Sequence, residues 1–180
     1  MQPETILTFW FKEATPRQWF TKDAAFDDAI RARFSAVYDA AVNGEVASWR
    51  ATPRGRLAEV IVLDQFPRNI FRGSAQAFAS DAMALDRSQE AIAARDDQKL
   101  TRLERQFLYL PFMHSESRDV HKRAFWLFAS LLPWLWKPFF FELAHKKVID
   151  RFGRFPHRNQ ILGRASTKEE EIFLHDHKGW

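Results

Sequence analysis

The punctuation of this chain limits its fold more than any other feature. Eight prolines and six glycines divide it into stretches of helical length. Inside them the apolar residues recur every three or four positions, which places them along one stripe of an α-helix. No stretch alternates apolar and polar residues long enough to specify a strand. The expectation is an all-α fold: one compact domain over residues 1–180, with about eight helices in antiparallel pairs joined by short turns.

The breaks set the boundaries. Pro3 to about Lys12 forms a first helix and Asp23 to Val42 a second, with Phe26, Ile30, Phe34, Val37 and Tyr38 on one face and Gly44 behind it. Thr52-Pro53 opens a third that ends or bends at Pro67. Ser74 or Ala75 to about Arg95 is a fourth. Thr101 and Glu104 make a capping box for a fifth, which Pro111 ends. A sixth runs from Glu116 or Ser117 to Leu132, a seventh from Pro138 to about Phe152 with Gly153 at its end, and Ser166-Thr167 caps a short eighth.

Composition narrows the chemistry. The chain has no cysteine, so disulfides, thiolate metal sites and a thiol nucleophile are excluded. The first residues, Met1-Gln2-Pro3-Glu4, carry no basic stretch and no cleavage motif, and a cytoplasmic location is expected. Phenylalanine (18) and tryptophan (7) greatly outnumber tyrosine (2), which predicts an aromatic core. The net charge of +4 is local: Lys146, Lys147, Arg151, Arg154 and Arg158 stand against Asp150, and the remainder is balanced.

The uncharged run Ala124 to Trp136, followed by Phe139-Phe140-Phe141, falls short of the roughly 20 apolar residues a membrane span needs, and Pro133 interrupts it. No transmembrane span is expected. The run is read as a buried helix, a turn and the start of another helix. The alternative is an exposed apolar surface through Phe125 to Phe141 for contact with a partner or a membrane surface.

Polar residues concentrate in two echoing segments, Phe66-Pro67-Arg68-Asn69 and Phe155-Pro156-His157-Arg158-Asn159, each with Gly and Arg close behind. In the first, Asp64, Arg68, Asn69 and Arg72 suggest an anion-binding pair of arginines on one helical face. The alternative is that Arg68 and Arg72 pair with Asp64, Asp81 or Glu116 and hold helices in register. In the second, Arg151, Arg154, Arg158, Asn159 and Arg164 crowd a helix break between Gly153 and Gly163. His114 and Glu116 flank a helix start, where a histidine beside a carboxylate suits acid/base work, with His157 a second candidate. Glu142-x-x-His145 is half of a helical di-iron motif, but no second half is present. No metal site and no particular cofactor is assigned.

These segments resemble an uncharacterised bacterial family, domain of unknown function nine-two-four. The resemblance rests on Leu63-Asp64-Gln65-Phe66-Pro67-Arg68-Asn69, Phe78-Ala79-Ser80-Asp81, Pro111-Phe112-Met113-His114-Ser115-Glu116 and Arg151 through Arg164. It implies an all-α helical-hairpin fold of the tetratricopeptide-like superfamily and no particular reaction. The chain carries Ser117 and His121 where the family favours an acid and a glutamine.

The leading functional expectation is a pocket for a small anionic ligand. Arg68, Arg72, Arg154, Arg158 and Arg164 would hold it, Asn69, Asn159, Asp64 and His145 would line it, and His114 oriented by Glu116 would serve as acid or base. The rival is an interaction module whose basic groove takes an acidic peptide or protein. Nucleic acid ranks last, because the rings sit at core spacing.

Overall fold

The computed structural model describes residues 1–176; the last four lie outside the described residues. Among the described residues all regular structure is helical. Ten segments follow in order: α1 Pro3–Thr8, α2 Pro16–Phe20, α3 Ala24–Val42, α4 Pro53–Asp64, α5 Phe66–Ile70, α6 Asp81–Ala93, α7 Arg102–His114, α8 Arg118–Ala129, α9 Trp136–Phe152 and α10 Lys168–Asp176. Short 3₁₀ turns link several of them.

Local chemistry explains the starts. Asp23 caps α3 through the Phe26 amide, Thr52 caps α4 ahead of Pro53, and Ser117 caps α8. The Thr101–Glu104 capping box forms as expected, and Thr167 and Glu170 exchange equivalent bonds at α10. Gly153 ends α9 with φ +72°, a conformation that favours glycine. Gly55 is needed for space, since a Cβ there would sit 2.0 Å from the Trp49 carbonyl oxygen.

The helix α4 is the centre. Leu57, Ala58, Val60, Ile61, Val62 and Leu63 are all inaccessible to solvent. Such an unbroken run means that every side of the helix is covered. Helices α1, α3, α5, α6 and α7 pack on it, while α6–α7, α7–α8 and α8–α9 pack as successive neighbours. The rings of Trp10, Phe34, Phe66 and Phe107 form the aromatic core, with Phe34 stacked on Phe66 at 4.9 Å and Trp10 edge-on to Phe107 at 5.6 Å. A smaller cluster of Val148, Ile149 and Phe155, with Phe152 and Phe173 beside it, forms where α9 and α10 meet.

Two expectations need correction. Pro111 lies inside α7, which continues to His114. The missing amide costs roughly 3 kcal/mol in a helix interior, but Phe112 and Met113 beyond it are buried, and that burial offsets the cost. The run 124–141 is not wholly core. Ala124, Phe128 and Leu131 are buried, whereas Trp126, Trp134, Trp136, Phe140 and Phe141 are each more than half exposed. No helix among the described residues is long and apolar enough to cross a membrane.

Candidate functional site

Four helix ends converge. Asp64 is the last residue of α4, Asp81 the first of α6 and His114 the last of α7, while Phe155 to Arg158 follow the turn that closes α9. Asp64 is fully buried and accepts from His114 Nδ1 at 2.7 Å, Arg68 Nη2 at 3.2 Å and Gln65 Nε2 at 2.5 Å. Arg68 also donates to Asp81 Oδ1 at 2.7 Å, and Arg158 donates to Asp81 Oδ2 at 3.1 Å. One bonded chain therefore runs His114–Asp64–Arg68–Asp81–Arg158.

Burial alone would raise the Asp64 carboxyl, but the neighbouring His114 and Arg68 outweigh it and hold the group well below the usual carboxylate range. His114 moves down because burial and the Arg68 charge disfavour imidazolium more than Asp64 favours it. We take the ring as neutral, donating Nδ1–H to Asp64, which leaves the lone pair on Nε2. The partner of His114 is thus Asp64 and not the expected Glu116.

Glu116 belongs to a neighbouring group. It receives both Arg164 donors at 2.6 and 2.9 Å and the Phe155 amide at 2.8 Å. Arg164 also donates to Asn159, whose amide group donates to Ser166 and Glu170. Arg154 grips Glu170 with two bonds of 2.7 and 2.8 Å. A third group stands apart: Asp27 of α3 takes Asn69 at 2.8 Å and both Arg72 donors at 2.5 and 2.7 Å. Arg68 and Arg72, expected on one face, thus serve different acids, because α5 ends at Ile70 and Arg72 lies beyond it. His145 donates Nδ1–H to the Phe141 carbonyl and meets the Phe155 ring.

Arg158 is the exception in this network. It is 6% exposed, its side chain makes a single hydrogen bond, to Asp81, and its Nε, like that of Arg68, is buried without a partner. Its other contacts are rings, Phe78 at 4.5 Å and Phe155 at 4.7 Å. Burial and the nearby Arg68 charge bring its pKa down to about 10 against the pull of Asp81 and Glu116, so it still carries its charge at neutral pH. Arg158 lines an open hollow of about 390 Å³ together with Phe78, Asp81, Leu85, Ser115 and Glu116. A larger hollow of about 550 Å³, by Met1, Arg33 and Trp49, has its arginine paired with Glu13.

Sequence reasoning named Asp81 only as an alternative partner of Arg68 and Arg72, a pairing the structure shows for Arg68, and did not place Phe78 in the site, although both lie in a motif that resembles the family. It also missed the buried pair His121–Glu142, 2.8 Å apart, in which His121 Nε2 donates to the Ser115 carbonyl. Among the described residues no group of three His, Asp or Glu side chains is arranged to hold a metal ion.

Comparison with known proteins bears on the family and the fold. Residues 6–178 match a family described as bacterial protein of unknown function (DUF924). A solved structure of a protein of unknown function from Agrobacterium tumefaciens, ATU0120, is similar with a TM-score of 0.91 and 40% identity, over 97% of each chain. No curated protein matches.

Proposed function

The chain belongs to the bacterial family of unknown function DUF924, so no activity comes with the fold, and we propose that the hollow beside Arg158 binds a small anionic ligand. The observation that carries this reading is the Arg158 guanidinium, more than nine-tenths buried and lining open space, with one hydrogen bond, to Asp81, and a buried Nε that has no partner. The local charges balance, with Asp64, Asp81 and Glu116 against Arg68, Arg158 and Arg164. What is left over is hydrogen-bonding capacity. A guanidinium has five N–H donors in a planar fork, and Arg158 uses one. A carboxylate or phosphate oxygen pair is the acceptor that such a fork matches.

His114 remains the acid/base candidate because Asp64 fixes its ring and its tautomer, although the adjoining Ser115, and not His114, lines the hollow. The remaining candidates, Arg72, Asn69, Arg154, Asn159 and Arg164, serve as scaffold through their acid partners. The tetratricopeptide-like interaction module is the weaker reading: Arg154, which would meet an acidic peptide, is already gripped by Glu170.

The test is a thermal-shift screen of carboxylated and phosphorylated metabolites, followed by calorimetry on the hits. The expected outcome is a ligand whose affinity falls tenfold or more in Arg158→Gln, with Arg72→Gln unchanged. A hit that binds Arg158→Gln as tightly as the parent, or a broad library without any hit, would overturn the proposal.

A further inference from the structure

The large apolar residues that the structure leaves exposed are concentrated at one corner. Six of the eleven among the described residues fall between Trp126 and Phe141: Trp126, Leu132, Trp134, Trp136, Phe140 and Phe141. Three of them, Trp126, Trp136 and Phe140, belong to one run of touching rings. Ring contacts run from Trp126 to Phe125 at 5.0 Å, on to Phe139 at 5.4 Å, to Phe140 at 5.9 Å and to Trp136 at 6.0 Å. Phe125 and Phe139 are half-buried between the exposed rings, and Phe139 packs on the main core. The patch is therefore rooted in the fold and is not a loose loop.

Its charge has one sign. Residues 120–141 contain Lys122, Arg123 and Lys137 and no acid, and the next acid, Glu142, is buried against His121. Lys137 lies over the Trp136 ring at 5.7 Å, and Arg102 of α7 lies over Trp134 at 4.7 Å. Lys122 and Arg123 stand four and three residues before Trp126, on the same side of α8. On the other side of this stretch Asp119 is exposed and paired with Lys122.

We propose that this corner docks on the surface of an anionic lipid bilayer, with the tryptophan and phenylalanine rings at headgroup depth and the cations on acidic headgroups. Tryptophan is the side chain that prefers the interface between water and hydrocarbon. Aromatic rings among lysine and arginine mark segments that lie in a membrane plane without crossing it. Charge decides against a second copy of the chain as occupant, because a face-to-face pair would bring the same cations together. This surface is separate from the Arg158 hollow and does not depend on it.

Flotation with phosphatidylcholine vesicles, with and without a quarter of phosphatidylglycerol, tests it. The expected result is binding to the anionic vesicles only, reduced at least fivefold by 0.5 M salt. Trp134→Ser/Trp136→Ser should lower the bound fraction at least tenfold, Lys137→Glu should weaken it, and Ile172→Ser, an exposed apolar control on α10, should leave it unchanged. Absence of vesicle binding would overturn the proposal. So would binding that persists in the double tryptophan variant, or a concentration-dependent dimer that the variant disperses while vesicles are ignored.

Discussion

The two Phe-Pro segments begin alike and end in opposite electrostatic states. In Phe66-Pro67-Arg68-Asn69 the arginine lies between two carboxylates, Asp64 and Asp81, and its pKa rises because their combined pull exceeds the penalty of burial. In Phe155-Pro156-His157-Arg158-Asn159 the arginine shares Asp81, feels Arg68 as a like charge, and its pKa falls. The asparagines differ as well: Asn69 reaches back to α3, while Asn159 ties its own loop to α10. A local motif thus supplies the donors, and the tertiary setting decides how many acids meet them: two for Arg68 and one for Arg158. The first segment is scaffold, and the second is the place with binding capacity to offer.

The largest effect that can break this contrast is removal of the first segment's acid. Asp64→Ala removes a fully buried carboxylate, takes the partner of the His114 ring and leaves Arg68 with Asp81 alone, both of them largely shielded from solvent. It should cost about 3–5 kcal/mol, as expected when one member of a buried pair is removed; urea unfolding would measure it. A loss under about 1 kcal/mol would mean that the first segment is no more scaffold than the second.

The next test sets the arginines side by side. Arg68→Gln takes the arginine from the buried Asp64 and leaves Asp81 with Arg158 alone, whereas Arg158→Gln gives up one hydrogen bond and relieves a buried, poorly compensated cation. Arg68→Gln should therefore be the more destabilising by about 2 kcal/mol. Equal losses in urea melts would remove the distinction.

Acid titration gives the smallest effect and sharpens the comparison. His157, which has no counterpart in the first segment, is lowered from 6.5 to about 4, by burial first and then by the Arg158 charge. Above pH 6.5 the ring is neutral in both states. As pH falls from 6.5 toward 4 the unfolded chain takes up the proton first, so stability is lost across that window. His157→Gln should flatten the slope by on the order of 1 kcal/mol at pH 5, read from melts at stepped pH. An unchanged slope would place the ring in contact with water.

Much of the helical order was legible because periodicity and caps are local. Asp23, Thr52 and Thr101 announce α3, α4 and α7 from the residues that follow them. Pro111 misled because its penalty is local, whereas its remedy is the burial of Phe112 and Met113 among distant helices. The site was half legible. Its arginines, asparagines and His114 stood out, but several of their partners lie 42 to 77 residues away, as with Asn69–Asp27 and Arg158–Asp81. Spacing along a chain cannot choose among acids at such range, which is why Glu116 was matched to His114 when Asp64 holds it. The aromatic corner was ambiguous for a related reason: rings at core spacing look the same whether or not another helix arrives to cover them.

The reach of the Arg158–Asp81 bond, 77 residues, also orders events during synthesis. A chain made from its N-terminus at about 5–20 residues per second produces Asp81 several seconds before Arg158 exists. Through that interval the carboxylate has Arg68 as its cation, so the scaffold half of the network can assemble while the binding half is still untranslated. The pocket wall is a late addition to a framework already standing.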